Sequence, residues 1–227
     1  ALDCLPGGAL NGLFSQAERV RLKHMAAHLT PRFDAFRITL ALVLAGLSIW
    51  AAILPVSRFD WFLENLLVWI AVVIIARLGN PMKISRAAYV LLALFLALQI
   101  YGSHYAYRPA IGTWISVVFD SPRNSFDRFM HLCFGILLFI PITECYQNAL
   151  NLSRKTAMFC SLVAITALGA VYEVIEWGMM IVLIPQAGAE FVGAQGDPWD
   201  AQKDMAFALL GSVSTYLGVS LWQRGSR

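Results

Sequence analysis

Three pairs of side chains have the types and spacing to do chemistry together: Asp127 and His131, Glu173 and Glu176, Asp200 and Asp204. Their spacings are i, i+4, then i, i+3, then i, i+4, so each pair falls on one face of a helix. All three border or enter long apolar runs, where an unpaired charge is costly and must bind a partner, a cation or a proton. Paired carboxylates and imidazoles on facing helices are the pattern by which helical bundles hold a divalent metal. An oxygen-rich set with an imidazole suits Zn, Mn or Fe better than a soft, thiolate-seeking metal. The six residues are therefore expected to ligate a divalent metal. Glu64, about one turn inside another apolar run, and His104, just past the end of a third, are candidate catalytic acid or base groups.

Around this set stand groups suited to support it. Arg123 and Arg128 are placed to hold an anionic head group or to pair with the acids. Gln195 and Gln202 are expected to orient ligands from behind. Asp197 precedes Pro198 and reads as a cap for the helix that follows. A salt-bridge network built on Arg123, Arg128 and Lys203 is the competing explanation. Against it counts the excess of acid: Asp127, Glu173, Glu176, Asp197, Asp200 and Asp204 face those three cations.

The elements that must position these groups follow from composition. Of 227 residues, 59% are hydrophobic and 14% charged, unlike an ordinary soluble domain. Six apolar runs, at 36–56, 59–78, 85–102, 126–147, 156–184 and about 200–222, are each near the ~20 residues that cross a bilayer as a helix. The expected fold is an all-α polytopic membrane bundle of six transmembrane helices over residues 34–227. Residues 1–33 are expected as a cytoplasmic or interfacial segment containing the amphipathic stretch "SQAERVRLKHMAAHL", and nothing in them reads as a cleaved signal peptide. Twelve of the seventeen Lys and Arg fall on the N-terminal segment, the 2–3 and 4–5 connections and the C-terminal tail. By the positive-inside rule both termini are cytoplasmic and the acidic residues gather near the outer face. Only 103–125 and 185–199 are long enough for structured loops. The cysteines at 4, 133, 145 and 160 form no CxxC pair and read as small buried hydrophobes.

Four segments carry a resemblance: "YGSHYAY" (101–107), "RNSFDRFMHLCFG" (123–135), "YEVIEW" (172–177) and "FVGAQGDPWDAQKDM" (191–205). In order and spacing the chain, over about 36 to 222, resembles the YjdF-type family of bacterial inner-membrane proteins, a domain of unknown function. The resemblance implies an inner (plasma) membrane location and assigns to the family pattern His104, Tyr105, Tyr107, Arg123, Asn124, Asp127, Arg128, His131, Glu173, Glu176, Trp177, Gln195, Asp197, Trp199, Asp200, Gln202 and Asp204; the tyrosines among them read as interfacial, though one could donate a hydrogen bond to the site. More distantly, D-x-x-x-H, E-x-x-E and the acidic helix start before "ALLGS" are similar to VanZ-like membrane proteins. Neither likeness names a reaction. Thr143 stands before Glu144 where the family tends to have Arg, which leaves a family role for Glu144 open.

Three classes of function fit these residues. The first is a metal-dependent hydrolase or transferase acting on a membrane lipid near the periplasmic face. The second is a cation or proton transporter, which needs acids toward both faces; the inner half offers Glu144. The third is a non-catalytic subunit bound to other membrane subunits. No phosphate loop, nucleophile elbow or nucleic-acid patch is visible, so nucleic acid is not an expected partner.

Overall fold

The computed structural model describes residues 35–82, 84–118, 123–183 and 197–225. The expected interfacial segment over 1–33 and Gln195 lie outside the described residues. The described chain folds into seven helices, without a strand among them: α1 (Ala35–Ala52), α2 (Arg58–Met82), α3 (Arg86–His104), α4 (Ala110–Val118), α5 (Phe126–Leu150), α6 (Arg154–Leu183) and α7 (Asp200–Gly225). The all-helical expectation holds. Five of these helices, α1, α3, α5, α6 and α7, are long and apolar enough to cross a membrane. The remaining expected span coincides with α2, whose 25 residues extend about 37 Å. The loop expected at 103–125 contains a nine-residue helix, α4.

Helix α5 is the hub. It packs on α2, α3, α4, α6 and α7, while α6 also packs on α7, and α3 on α1 and α2. The α5–α7 crossing is made by backbones. A Cβ at Gly135 would stand 2.2 Å from the Ala208 carbonyl oxygen, and one at Gly211 would stand 2.3 Å from that of Leu132. In lipid there is little hydrophobic force between helices, so small residues that permit such close approach supply the packing. Further along, Phe139 meets Tyr216 edge-on, with ring centroids 6.3 Å apart, and the Thr143 and Ser161 hydroxyls join α5 to α6 at 2.9 Å. The crossing sets the register that matters: His131 lies one turn before Gly135, and Asp204 two turns before Gly211.

At the opposite end of the bundle, Ser85 caps α3 by accepting from the Ala88 N–H. Glu144 of α5 in turn accepts from the Ser85 N–H at 2.6 Å and from its hydroxyl at 2.8 Å. A carboxylate at a helix N-terminus is favoured by the unsatisfied N–H groups there. Arg37 lies over the Tyr89 ring and Arg86 over the Phe36 ring, so α1 and α3 start side by side and run in the same direction. Large apolar side chains such as Leu42, Val43, Val163, Val174, Leu217 and Leu221 are exposed around the bundle, as a lipid-facing surface requires. Trp114, Trp177 and Trp199 are exposed near the acidic end, where indole rings anchor helices at a membrane interface.

Candidate metal centre

The start of α5 is fixed before its acids are presented. The Asn124 side-chain amide donates to the Pro109 carbonyl and the Thr113 hydroxyl, and its oxygen accepts from the Phe126 N–H, all at 3.1 Å. The Ser125 N–H donates to the buried Ser116 hydroxyl at 2.8 Å. Only glycine fits beneath this turn, because a Cβ at Gly112 would fall 2.0 Å from the Asn124 oxygen. Helix α4 is thus the template that aims Arg123 and Asp127.

The charged groups then sort into two tiers. The outer tier is neutralised. Arg123 pairs with Asp200 and stands 3.5 Å from Asp127 Oδ2. Arg128 pairs with Asp197 and lies 3.8 Å from Asp200 Oδ1, and Lys203 Nζ lies 2.7 Å from Asp197 Oδ2. Asp197 Oδ1 also accepts from the Trp199 N–H at 3.0 Å, so the turn that opens α7 is held by the residue expected to cap it. The hydrogen bond from Lys203 is the main reason that the Asp197 pKa is held down to about 2, with Arg128 and the Trp199 N–H acting in the same sense. Burial pulls the Arg123 pKa below the ordinary arginine value, and Asp127 opposes that pull.

The inner tier is deeper, and apart from the approach of Arg123 to Asp127 its groups face one another. Asp127 of α5 is 2% exposed and Asp204 of α7 is 1% exposed. With His131, each offers a ligand atom, and the three atoms lie within 4.8 Å of one another. His131 Nε2 is 3.1 Å from Glu173 Oε1 of α6 and 3.8 Å from Asp127 Oδ1. Asp204 Oδ1 has no hydrogen-bond partner among the described residues. An orphaned carboxylate oxygen in a buried setting is a costly arrangement unless something else satisfies it.

Of the six expected ligands, Asp127, His131, Glu173 and Asp204 come together directly. Glu176 lies one turn along α6, within electrostatic reach of Asp127, Glu64 and Glu173. Asp200 is engaged by Arg123. Glu64 joins the edge of the cluster: it accepts from Gln99 at 3.0 Å and from the Tyr172 hydroxyl at 3.4 Å. His104 is placed differently. Its Nδ1 is 3.1 Å from the Ala51 carbonyl, and its ring stacks on Trp50 with centroids 4.5 Å apart, contacts that tie α3 to α1. Gln202 is exposed.

Two residues at the site were not singled out from sequence as part of it: Gln99 and Tyr172. Gln99 is a lone amide in an otherwise apolar run, a usable signal. Tyr172 adjoins Glu173, and its ring meets His131 edge-on at 5.7 Å. Tyr107 reads as interfacial but is 4% exposed. A left-handed backbone at Ala106 and Tyr107 (φ 47° and 55°) turns it inward, and such strained conformations gather at functional sites. Below these groups opens a cavity of about 410 Å³, within the ~300–1,000 Å³ range of ligand pockets. Its head is polar, formed by Gln99, Tyr107, Asp127, His131 and Tyr172, and the rest of its wall is apolar.

These observations define a multi-pass, all-helical membrane protein with a buried acid–histidine cluster at one end of its bundle. The chain belongs to the family described as Predicted membrane protein (DUF2238), which matches residues 36–225. It is similar to the inner membrane protein YjdF of Escherichia coli (strain K12), with 28% identity over 181 residues that cover 79% of this chain and 86% of that protein. No solved structure matches the chain.

Proposed function

We propose that this protein binds a divalent metal, Zn, Mn or Fe, through Asp127, His131 and Asp204, with Glu173 beside them, and acts as a lipid-directed hydrolase or transferase of the bacterial inner membrane. The observation that carries the reading is the convergence of Asp127, His131 and Asp204 from two helices, with the Asp204 carboxylate buried and its Oδ1 without a hydrogen-bond partner among the described residues. A metal there would act as a Lewis acid toward a phosphoryl or acyl oxygen of the substrate. Glu173 is placed to hold the His131 ring, while Glu64, held by the cavity-lining Gln99 and Tyr172, would serve as acid or base. The outer ion pairs of Arg123 and Arg128 shield the inner carboxylates from water, which strengthens electrostatic interactions within. In this reading α2 is the sixth crossing, both termini are cytoplasmic and the cluster lies near the periplasmic face. Glu144, the inner-half acid a transport path would use, is engaged in capping α3.

Elemental analysis of the detergent-purified protein, supplied with each metal in turn, tests the proposal. Near-stoichiometric metal in the wild type, lost in Asp204→Asn and His131→Ala while both stay folded by circular dichroism, is the expected result. A wild type that takes up none of the three metals overturns it.

A further inference from the structure

We infer that the cavity beneath the cluster is the binding site for one hydrocarbon chain of a membrane lipid, which reaches it sideways from the bilayer between α2 and α6. Placing the lipid head at the metal rests on the function proposed above; the chain site stands on the cavity itself.

Four helices frame the cavity. Ala71 and Ile75 of α2, Leu92 and Phe95 of α3, Met130 and Phe134 of α5, and Leu168 and Tyr172 of α6 line it. The framing is unequal. α2 packs on α3 and α5, and α6 packs on α5 and α7, but α2 and α6 meet each other marginally at most. At that gap the lining residues are also surface residues: Ile70 and Ile74 on one side and Leu168, Val171 and Ile175 on the other are about half exposed. In a membrane-spanning bundle such a surface faces lipid, so the mouth opens into the hydrocarbon layer.

The chemistry of the wall selects the occupant. An apolar space of this size, continuous with lipid tails, fills with hydrocarbon and not with water, which needs two to four polar partners. Only its head offers polar groups, where Gln99, Tyr107 and Tyr172 meet Glu64 and the Asp127–His131 pair. The matching molecule is an amphiphile with its chain in the cavity and its polar end at the cluster. A soluble substrate would leave most of the wall exposed.

The test uses the full chain in nanodiscs that contain phosphatidylethanolamine with a diazirine midway along one acyl chain. After irradiation, cross-linked peptides are mapped, and metal content is measured on the same samples. The expected result is labelling concentrated on cavity residues of α2, α3 and α5, falling severalfold in Ile175→Trp and Ile74→Trp. Both substitutions plug the mouth from half-exposed positions that tolerate bulk. Leu42→Trp, on the lipid face of α1, should leave labelling unchanged, and all three variants should keep the wild-type metal content. Labelling spread evenly around the bundle, or unaffected by both plugs, overturns the inference and leaves the metal reading standing. Cavity labelling in a protein that binds no metal supports the chain site and removes the function proposed for its head.

Discussion

At the residue scale, the two tiers show how position along a helix decides what a carboxylate does. Asp200 and Asp204 share a face of α7, four residues apart. Asp200 meets Arg123 and is neutralised, while Asp204 lies one turn deeper, where its Oδ1 has no hydrogen-bond partner among the described residues. Their equal appearance in the sequence hides that difference, because spacing fixes the face and not the depth at which arginines from another element end. Asp197 permits a test by pH. Its folded pKa of about 2 lies below the ordinary 3.8, so its clasp on Lys203 and Arg128 contributes stability in full above about pH 4 and loses it as the pH falls through 2. Asp197→Asn should therefore lower the thermal midpoint at pH 7, and its gap from wild type should narrow as the pH is taken from 4 to 2. A gap that is independent of pH would deny the clasp its charge.

At the element scale, the α5–α7 crossing carries the strongest prediction. Gly135→Ala or Gly211→Ala places a methyl group against a backbone carbonyl that cannot rotate away, so the helices must separate. Overpacking of this kind costs about 1–3 kcal/mol. The same separation draws Asp204 away from His131, so the midpoint of thermal unfolding and the metal content should fall together. Gly178→Ala and Gly218→Ala, where a Cβ meets nothing within 4 Å, should change neither. At the other end, Ser85→Ala removes the cap on α3 and a partner of Glu144, and should cost about 1 kcal/mol in chemical denaturation. The existence of the long helices was legible from their apolar runs. Helix α4 was not, because its role comes from the packing of Asn124 and Ser125 against Gly112 and Ser116, contacts that periodicity does not report. Nor was the inward turn of Tyr107, which depends on a left-handed backbone at a residue that rarely adopts one.

At the scale of the whole molecule, the position of the cluster follows from chain direction. Asp127 and Asp204 open their helices, Glu64 lies near the start of α2, and Glu176 and Gln99 lie near the ends of theirs. Alternation of direction brings all of them to one end. Reporter fusions after residues 82, 152 and 225 should read as cytoplasmic, and fusions near 56, 107 and 198 as periplasmic. A C-terminal fusion that reads as periplasmic would place the cluster on the wrong side for the proposed function. Four of the six residues that the sequence paired by spacing, Asp127, His131, Glu173 and Asp204, meet at this end of the bundle. His104, the last residue of α3, is turned toward α1 by Trp50 and the Ala51 carbonyl, a choice that its position at the end of an apolar run leaves open.

The glycine crossing has a mechanical consequence. Two helices in backbone contact act as a stiff spine, and Asp127, His131 and Asp204 all ride on it. The α2–α6 side has no such weld among the described residues, so separating the bundle there disturbs less packing. If the cavity takes a lipid chain as proposed, widening this membrane-facing seam would admit it while the groups on the welded helices keep their spacing.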